Sequence, residues 1–402
     1  MKFVKKKLDL VLISALGLLF LLPSSASALG YVSTQIKPNP NYGTISITGT
    51  SSDPNTNNEN FDNYGTINTE PNGIFNNYSI VNNYGIFNND MAGTINNEGT
   101  FNNETTGTIN NSWGFVNKNI LNNYGTINNS VILGNEGTIN NSGTINNFGL
   151  INSGTINNSG SIDAYSIENS GTINNYNMIN NIFISSNSGT FNNSGTFQND
   201  IIFYNTDDSS PGTFNNYGTL QNDGTFYNTY EGVTGTFNNE GIYQGTGTFV
   251  GDLDSGIGTI APGNSAGTMV VEGNFFLSTE GTLEIEIGGF DDGESDLLNV
   301  FGSVNLLGDI NFSFLDGYDI SSDVLPGQTE SFMFLYAEEG IIIDMSSVNF
   351  DFLNGPNGFV YNVYNVGNTS LWFEATNTIP VPGAFILSCI GIGCIARLRR
   401  KK

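Results

Sequence analysis

The sequence contains no histidine, and its only two cysteines, Cys389 and Cys394, lie in an apolar run near the C-terminus. The body of the chain therefore has no thiol for a disulfide and no imidazole or thiolate for a zinc site or for catalysis. Its stability must come from backbone pairing and side-chain packing. Calcium stays compatible with the composition because it needs only oxygen ligands.

Positive charge is almost as scarce. The 402 residues include 11 Lys and Arg against 37 Asp and Glu, which gives a net charge of −26. Nine of the cations lie at the two ends of the chain, so Lys37 and Lys118 stand alone between them. The strongly negative part of the chain between its two ends repels phosphate backbones and anionic headgroups, which excludes nucleic acid as a partner.

The N-terminal end has the pattern of an export signal. A lysine-rich start precedes an apolar run from Leu8 to Leu22, and small residues then continue to Ala28. This order predicts a secretory signal peptide at 1–28, with Ala26 and Ala28 at the cleavage site. Residues 29–64 are then expected to form a leader or N-terminal cap.

One six-residue unit recurs from about Gly65 to Val250: Gly, Thr, an apolar residue, Asn, Asn, and a small, aromatic or acidic residue. Spacings of eight and eleven residues between some copies indicate loop insertions. This self-similarity predicts a repeat domain at 65–250. The clear copies begin at Gly93, Gly107, Gly125, Gly137, Gly143, Gly171, Gly189, Gly212 and Gly235.

The unit favours a short strand followed by a turn. Thr-Ile-Asn alternates polar, apolar and polar residues, which directs Ile inward. Asn and Gly tolerate positive φ, so the sequence predicts a strand of about three residues and a turn of about three. A disordered low-complexity tract is the alternative, but it has no need of apolar residues at a fixed phase. A period of six does not fit a helix.

These units predict an all-β parallel solenoid. Three sides give an 18-residue triangular coil, which matches the distance from Gly107 to Gly125. A two-sided coil is also compatible. About ten coils at ~4.8 Å each make a rod roughly 50 Å long. One inward apolar residue per unit does not offset the entropy of ordering six residues, so we expect ladders of asparagine amides between coils.

The pattern changes beyond Val250, where longer apolar alternation predicts a C-terminal β region at 251–376. A richer core there would close the open end of the solenoid, which needs protection from edge-to-edge pairing. The expected strands are Gly281–Ile287, Val300–Leu306, Asp309–Leu315, Ser331–Tyr336, Gly358–Val366 and Ser370–Ala375.

Three motifs in this region, Gly258–Thr268, Gly281–Gly288 and Asp296–Val300, resemble the autotransporter-associated strand region of bacterial surface proteins. The resemblance covers about a hundred residues. It implies a right-handed parallel β-helix of the passenger type.

The C-terminal segment, 377–402, resembles a PEP-CTERM sorting signal, with Val381 in the place where the family often has Glu. An apolar run from Ile379 to Ala396 is long enough to span a bilayer, and the cations that follow should stay cytoplasmic. The resemblance implies an exosortase-type enzyme as partner, removal of the tail, and display on the cell envelope or in the matrix. A membrane anchor that is never cut is the alternative. The motif residues are Pro380, Val381, Pro382, Gly383, Ala384, Arg397, Arg399 and Arg400.

Solenoids can be glycan-degrading enzymes, which need paired carboxylates or a basic residue near bound cations. Here the carboxylates are spread one per repeat unit, which indicates solvent-exposed residues in turns. No cofactor and no catalytic residue is predicted. The scattered carboxylates are Glu98, Glu104, Glu136, Asp163, Glu168 and Glu240.

An acidic cluster, Asp291, Asp292, Glu294 and Asp296, is a candidate calcium site. It lacks the spacing of an EF-hand loop, and an acidic hairpin turn that needs no ion is the favoured interpretation.

The sequence thus predicts an exported structural or adhesive rod without catalysis, which meets extracellular glycans or neighbouring cells. A glycan-degrading β-helix enzyme is one alternative. An ice-binding solenoid is another, because outward Thr and Asn would form regular arrays. The irregular spacings are expected to interrupt such an array.

Overall fold

The computed structural model describes residues 34–35, 39–48, 54–207 and 209–379. Over these ranges the chain is a parallel β-solenoid, as the sequence predicts, and its one helical element is a short 3-10 turn at Ile320–Ser322. The predicted signal peptide with Ala26 and Ala28, and the sorting motif from Pro380 onward, lie outside the described residues.

The first thirty-two strands, most of them four residues long, belong to the repeat region and the segment before it. They are β1 (Thr34–Gln35), β2 (Thr44–Ile47), β3 (Asn55–Asn57), β4 (Phe61–Asn63), β5 (Thr66–Thr69), β6 (Ile74–Asn77), β7 (Ile80–Asn83), β8 (Ile86–Asn89), β9 (Thr94–Asn97), β10 (Thr100–Asn103), β11 (Thr108–Asn111), β12 (Gly114–Asn117), β13 (Ile120–Asn123), β14 (Thr126–Asn135), β15 (Thr138–Asn141), β16 (Thr144–Asn152), β17 (Thr155–Asn158), β18 (Ser161–Asn169), β19 (Thr172–Asn175), β20 (Met178–Asn181), β21 (Ile184–Asn187), β22 (Thr190–Asn193), β23 (Thr196–Asn199), β24 (Ile202–Tyr204), β25 (Thr213–Asn216), β26 (Thr219–Asn222), β27 (Thr225–Tyr227), β28 (Thr229–Tyr230), β29 (Val233–Thr234), β30 (Thr236–Asn239), β31 (Ile242–Gly245) and β32 (Thr248–Val250).

The remaining strands form the C-terminal region. They are β33 (Leu253–Asp254), β34 (Thr259–Pro262), β35 (Thr268–Glu272), β36 (Phe275–Leu277), β37 (Thr282–Ile287), β38 (Leu297–Val300), β39 (Ser303–Leu306), β40 (Asp309–Phe314), β41 (Thr329–Ala337), β42 (Gly340–Ile343), β43 (Phe350–Leu353), β44 (Phe359–Val366) and β45 (Ser370–Asn377).

The coils are triangular, which decides between the two-sided and three-sided coils that the sequence left open. Face 1 is a ten-stranded sheet, β4-β7-β10-β13-β15-β17-β19-β22-β25-β30, which matches the ten coils expected. Face 2 begins β2-β5-β8-β11 and face 3 begins β1-β3-β6-β9-β12, and the long strands β14, β16 and β18 bend from face 2 onto face 3. In the asparagine ladders, equivalent residues of successive coils are 17, 18, 20, 22 or 23 residues apart.

Each repeat strand buries alternate residues, as the Thr-Ile-Asn pattern predicts. In β17 the side chain of Ile156 is 1% exposed, whereas Thr155 and Asn157 on either side of it are only half-buried. The third position of the unit thus lines a continuous apolar interior. This burial is where the hydrophobic stabilisation of the rod arises.

The predicted turn is wrong in one respect. Both asparagines belong to the strand, and the second one, such as Asn158, is fully buried. In the described part of the repeat region, positive φ is confined to the insertions and to Gly245 rather than to the corners. The corner glycine serves close stacking instead, because a Cβ on Gly143 would lie 2.1 Å from the carbonyl oxygen of Gly125.

The buried asparagines form the expected ladders, here called the inner columns. On face 1 each Nδ2 donates to the Oδ1 of the next coil at 2.7–2.9 Å. The Nδ2 of Asn141 also donates to the backbone carbonyls of Gly143 and Ser161, which fixes the amide orientation because a carbonyl can only accept. The face 1 column is Asn41, Asn63, Asn83, Asn103, Asn123, Asn141, Asn158, Asn175, Asn193, Asn216 and Asn239.

Face 3 has a second inner column of the same kind, and on face 2 the column is shorter because Ala164 replaces an asparagine. Buried amides that pair with one another in this way need no water. The face 3 column is Asn57, Asn77, Asn97, Asn117, Asn135, Asn152, Asn169, Asn187, Asn205 and Asn228.

The C-terminal region continues the coils, with the predicted strands in place. The predicted strand Val300–Leu306 is divided, because the chain turns a corner between β38 and β39. Parallel pairing persists to β43, and only then does β45 pair antiparallel with both β41 and β44. Phe312 and Phe373 pack 5.1 Å apart in the core beneath this antiparallel cap.

Candidate functional site

The outward side of face 1 is the most regular surface of the rod. Strands from β7 to β30 pair residue for residue with no register shift. Their outward residues, here called the face 1 array, form two parallel columns without a charged or aromatic side chain. One column is Ile80, Thr100, Ile120, Thr138, Thr155, Thr172, Thr190, Thr213 and Thr236, and the other is Asn82, Asn102, Asn122, Asn140, Asn157, Asn174, Asn192, Asn215 and Asn238.

The outward asparagines are linked by their own ladder, the outer column. Each Nδ2 donates to the Oδ1 of the preceding coil at 2.7–2.9 Å. The column begins at the carboxylate of Asp62, which can only accept, so Asn82 must donate to it and Asn102 must donate to Asn82. The outer column therefore donates in the direction opposite to the inner columns.

The array keeps unused hydrogen-bonding capacity toward solvent. Each outer amide spends one N–H and one acceptor position on the column, which leaves one of each. Across the described residues of face 1, the hydroxyls from Thr138 to Thr236 have no hydrogen-bond partner in the protein. Since a β-branched side chain has few χ1 rotamers, these hydroxyls are held in order by the strand itself.

The irregular spacings do not interrupt the face 1 array, contrary to the expectation from sequence. The insertions lie at corners. Two of them, at 206–211 and 229–234, are equally long. The second contains the hairpin β28–β29, where Tyr230 packs against Tyr204 at 4.8 Å and Tyr227 at 5.7 Å. Both partners are outward residues of face 3, so the hairpin lies against face 3 and leaves face 1 open.

The other two faces are less uniform. On face 2 the outward threonines are interrupted by Ile86, Met178 and Ile242. On face 3 the corresponding positions include Ile184 and Ile202. The three sides of one rod therefore differ in chemistry although they share one repeat.

Aromatic residues at the sixth position of the unit stack along the corners. Tyr64 stacks on Tyr42 at 5.1 Å and on Tyr84 at 4.7 Å between ring centroids. Tyr165 stacks in the same way between two phenylalanines of another corner. Stacked rings cover one another's faces, whereas the exposed Tyr124, Tyr176 and Tyr217, farther along the corner of Tyr64, stack on no other ring of the described residues. The tyrosines at this phase of the repeat were a signal that sequence reasoning did not use.

The four residues of the candidate calcium site do not act together. Asp291, Asp292 and Glu294 lie exposed in a turn, whereas Asp296 is 1% exposed and directed into the protein. Within the described ranges, no three acidic side chains converge as ligands for a metal ion. The backbone N–H of Asp291 donates to Glu294, as in a compact acidic turn.

Asp296 links three strands of the C-terminal region, a role that the sequence did not reveal. Its Oδ1 accepts the N–H of Gly267 at 2.9 Å and its Oδ2 accepts the N–H of Glu286 at 2.8 Å. Burial raises the pKa of Asp296 to about 8, against the effect of these two bonds, and the nearby carboxylates of Glu286 and Glu284 add to the rise. The side chain is thus a structural clamp.

This clamp predicts a pH-dependent stability. Because the folded pKa of Asp296 is about 8 and the pKa in an unfolded chain is about 3.9, its contribution is complete below pH ~4 and is lost as pH rises toward 8. We compare the unfolding free energy of the wild-type chain with that of Asp296→Asn. When the pH is lowered from 8.5 to 4.5, we expect this difference to shift by a few kcal/mol in favour of the wild-type chain. Urea denaturation at both pH values measures this. Asp291→Asn is the control at an exposed carboxylate. If the difference in unfolding free energy between the wild-type chain and Asp296→Asn is the same at both pH values, the prediction is wrong.

The scattered carboxylates lie where the repeat places them. Glu98, Glu104, Glu136 and Glu240 occupy corners, while Asp163 and Glu168 are outward residues of faces 2 and 3. Burial raises the pKa of Glu168. Glu98 forms an ion pair with Lys118 at 3.4 Å.

Among the described residues no helix has the length and apolar character needed to cross a membrane. The residues of the sorting motif lie beyond the described part, as does the predicted span from Ile379 to Ala396 except for Ile379 itself. A comparison of the chain with protein-family models and with curated protein sequences finds no match.

Proposed function

We propose that this chain is an exported bacterial surface or extracellular-matrix protein that acts as a structural, adhesive rod and carries out no catalysis. The observation that carries the proposal is the contrast between the inward and the outward side chains of the solenoid. Inward positions serve the core and the inner columns, while the outward positions of nine face 1 strands, β7 to β30, carry no charge and repeat asparagine at every strand and threonine at seven of them. Such a surface suits many weak contacts with extended partners such as glycans or neighbouring cells.

The ends of the chain support the location in this proposal. The N-terminal pattern with Ala26 and Ala28 resembles an export signal. The tail resembles a PEP-CTERM signal, so an exosortase-type enzyme is the proposed partner, acting near Pro380 and Pro382. The resemblance of Gly258–Thr268 to autotransporter-associated regions of surface proteins agrees with display outside the cell.

Removal of the tail tests both anchoring and adhesion. We expect a chain that ends at Thr378 to appear in the culture medium instead of the cell envelope, because the apolar run and its terminal cations are gone. Cells that make this variant should lose attachment to surfaces and to one another. Immunoblots of the two fractions and an attachment assay measure these outcomes. Retention in the envelope without the tail would refute the anchor, and undiminished attachment by cells that release the protein would refute the adhesive role.

A further inference from the structure

We propose that the face 1 array is an ice-binding surface, a function that does not depend on how the chain is anchored. The inference begins from spacing. Successive strands lie ~4.8 Å apart, and the threonine and asparagine columns, two residues apart along each strand, are separated by ~6.6 Å. Water oxygens on the surfaces of ice repeat at similar distances. A rigid grid of this kind can order water in the same pattern.

The chemistry of the array fits water better than it fits a sugar polymer. The threonine column presents a methyl and a hydroxyl at seven of its nine strands, Ile80 and Ile120 being the exceptions, and each outer amide keeps one N–H and one acceptor position. Crystalline polysaccharides are usually bound through the faces of aromatic rings, and the array contains none. It also lacks charged groups, whose tightly held hydration shells would compete with an ordered water layer.

The array is both extended and rigid. Its nine outer asparagines cover eight coil spacings, which is about 38 Å. Side-chain ladders are a known cause of flatness in sheets of many strands. Here a ladder lies on each side of face 1, the inner column beneath it and the outer column upon it. Rigid groups lose little entropy when they meet a lattice.

The arrangement of the insertions independently favours the same face. A surface that binds a flat lattice must be free of protruding loops. The hairpin at Tyr230 lies over face 3, and the register of face 1 is unbroken across both of the 23-residue coil spacings. Face 1 has Ile80 and Ile120 in its column but then six consecutive threonines from Thr138 to Thr236, whereas Met178 on face 2 and Ile184 and Ile202 on face 3 interrupt the equivalent stretch, so these faces are natural controls.

The test compares one substitution on two faces. Thr172 lies in the centre of the face 1 array, and Thr196 holds the same position of the repeat on face 2. Tyrosine is favoured in strands, so both Thr172→Tyr and Thr196→Tyr should fold, which circular dichroism melts of the two proteins check. Thermal hysteresis is measured on single ice crystals with the full-length chain and each variant.

We expect the wild-type chain to arrest ice growth in a concentration-dependent way. Because central positions dominate the binding energy of an interface, Thr172→Tyr should lower the hysteresis about tenfold or more, whereas Thr196→Tyr should leave it unchanged. Absence of hysteresis in the wild-type chain overturns the proposal. Equal loss in the two variants does so as well, as does adsorption of the wild-type chain to crystalline cellulose or chitin but not to ice.

Discussion

Replacing Asn158 with alanine should lower the free energy of unfolding by about 3–5 kcal/mol, an unusually large effect for a polar residue. Asn158 accepts from Asn141 at 2.8 Å and donates to Asn175 and to the carbonyl of Met178, both at 2.8 Å. Alanine removes all three bonds from a site that water does not reach. Each buried group left without a partner costs about 1–3 kcal/mol.

The neighbouring residue provides a matched control. Asn157 has the same side chain and lies in the same strand, but it belongs to the outer column, where water can replace its bonds to Asn140 and Asn174. We expect Asn157→Ala to cost about 1 kcal/mol or less. Urea denaturation followed by circular dichroism measures both variants. Equal losses would show that the inner column is not a special source of stability.

A block of polar substitutions in the apolar interior should unfold the middle of the rod. Ile139, Ile156 and Ile173 are successive inward residues of face 1, and each is at most 1% exposed. Serine at all three positions removes about 2–5 kcal/mol of packing each and also buries hydroxyls without partners. The total is comparable with the whole stability of a typical domain, which is about 5–15 kcal/mol.

We therefore expect the triple variant to lose much of its β-sheet signal in far-UV circular dichroism and to become sensitive to protease within 120–190. The control carries serine at the residues immediately before these, Thr138, Thr155 and Thr172, which point outward from the same strands. Replacing these threonines with serine only lowers the strand propensity, which reduces the free energy of unfolding by well below 1 kcal/mol for each residue. A triple isoleucine variant that resists protease as well as this control would disprove the inward assignment.

Much of the fold could be predicted because its determinants are local and repeated. The return of Ile or Phe at the third position of the unit indicates one buried column, and 18-residue separations such as that from Gly125 to Gly143 are compatible with three sides, although they do not exclude two. The ladders followed from energetics, since the apolar column alone could not order the chain.

What the sequence did not reveal depends on residues far apart in the chain. Asn and Gly are turn formers in isolation, so the second Asn was assigned to a turn. Its burial depends on an identical residue one coil away, a context that a single unit does not contain. Asp296 likewise has no local signal, because its partners Gly267 and Glu286 belong to other strands. The six-residue period also does not show on which side of the rod the insertions lie, so it did not predict that they leave face 1 unobstructed.

The opposed donor directions of the inner and outer columns have an evolutionary consequence. Along face 1 the buried amides donate toward the C-terminal end, and the outward amides donate toward the N-terminal end. On this face each new coil therefore contributes two antiparallel amide dipoles that largely cancel, so the amide columns of face 1 add little net dipole as coils are added. Tandem duplication of coil-coding segments can lengthen face 1 without a growing electrostatic penalty from its amide columns.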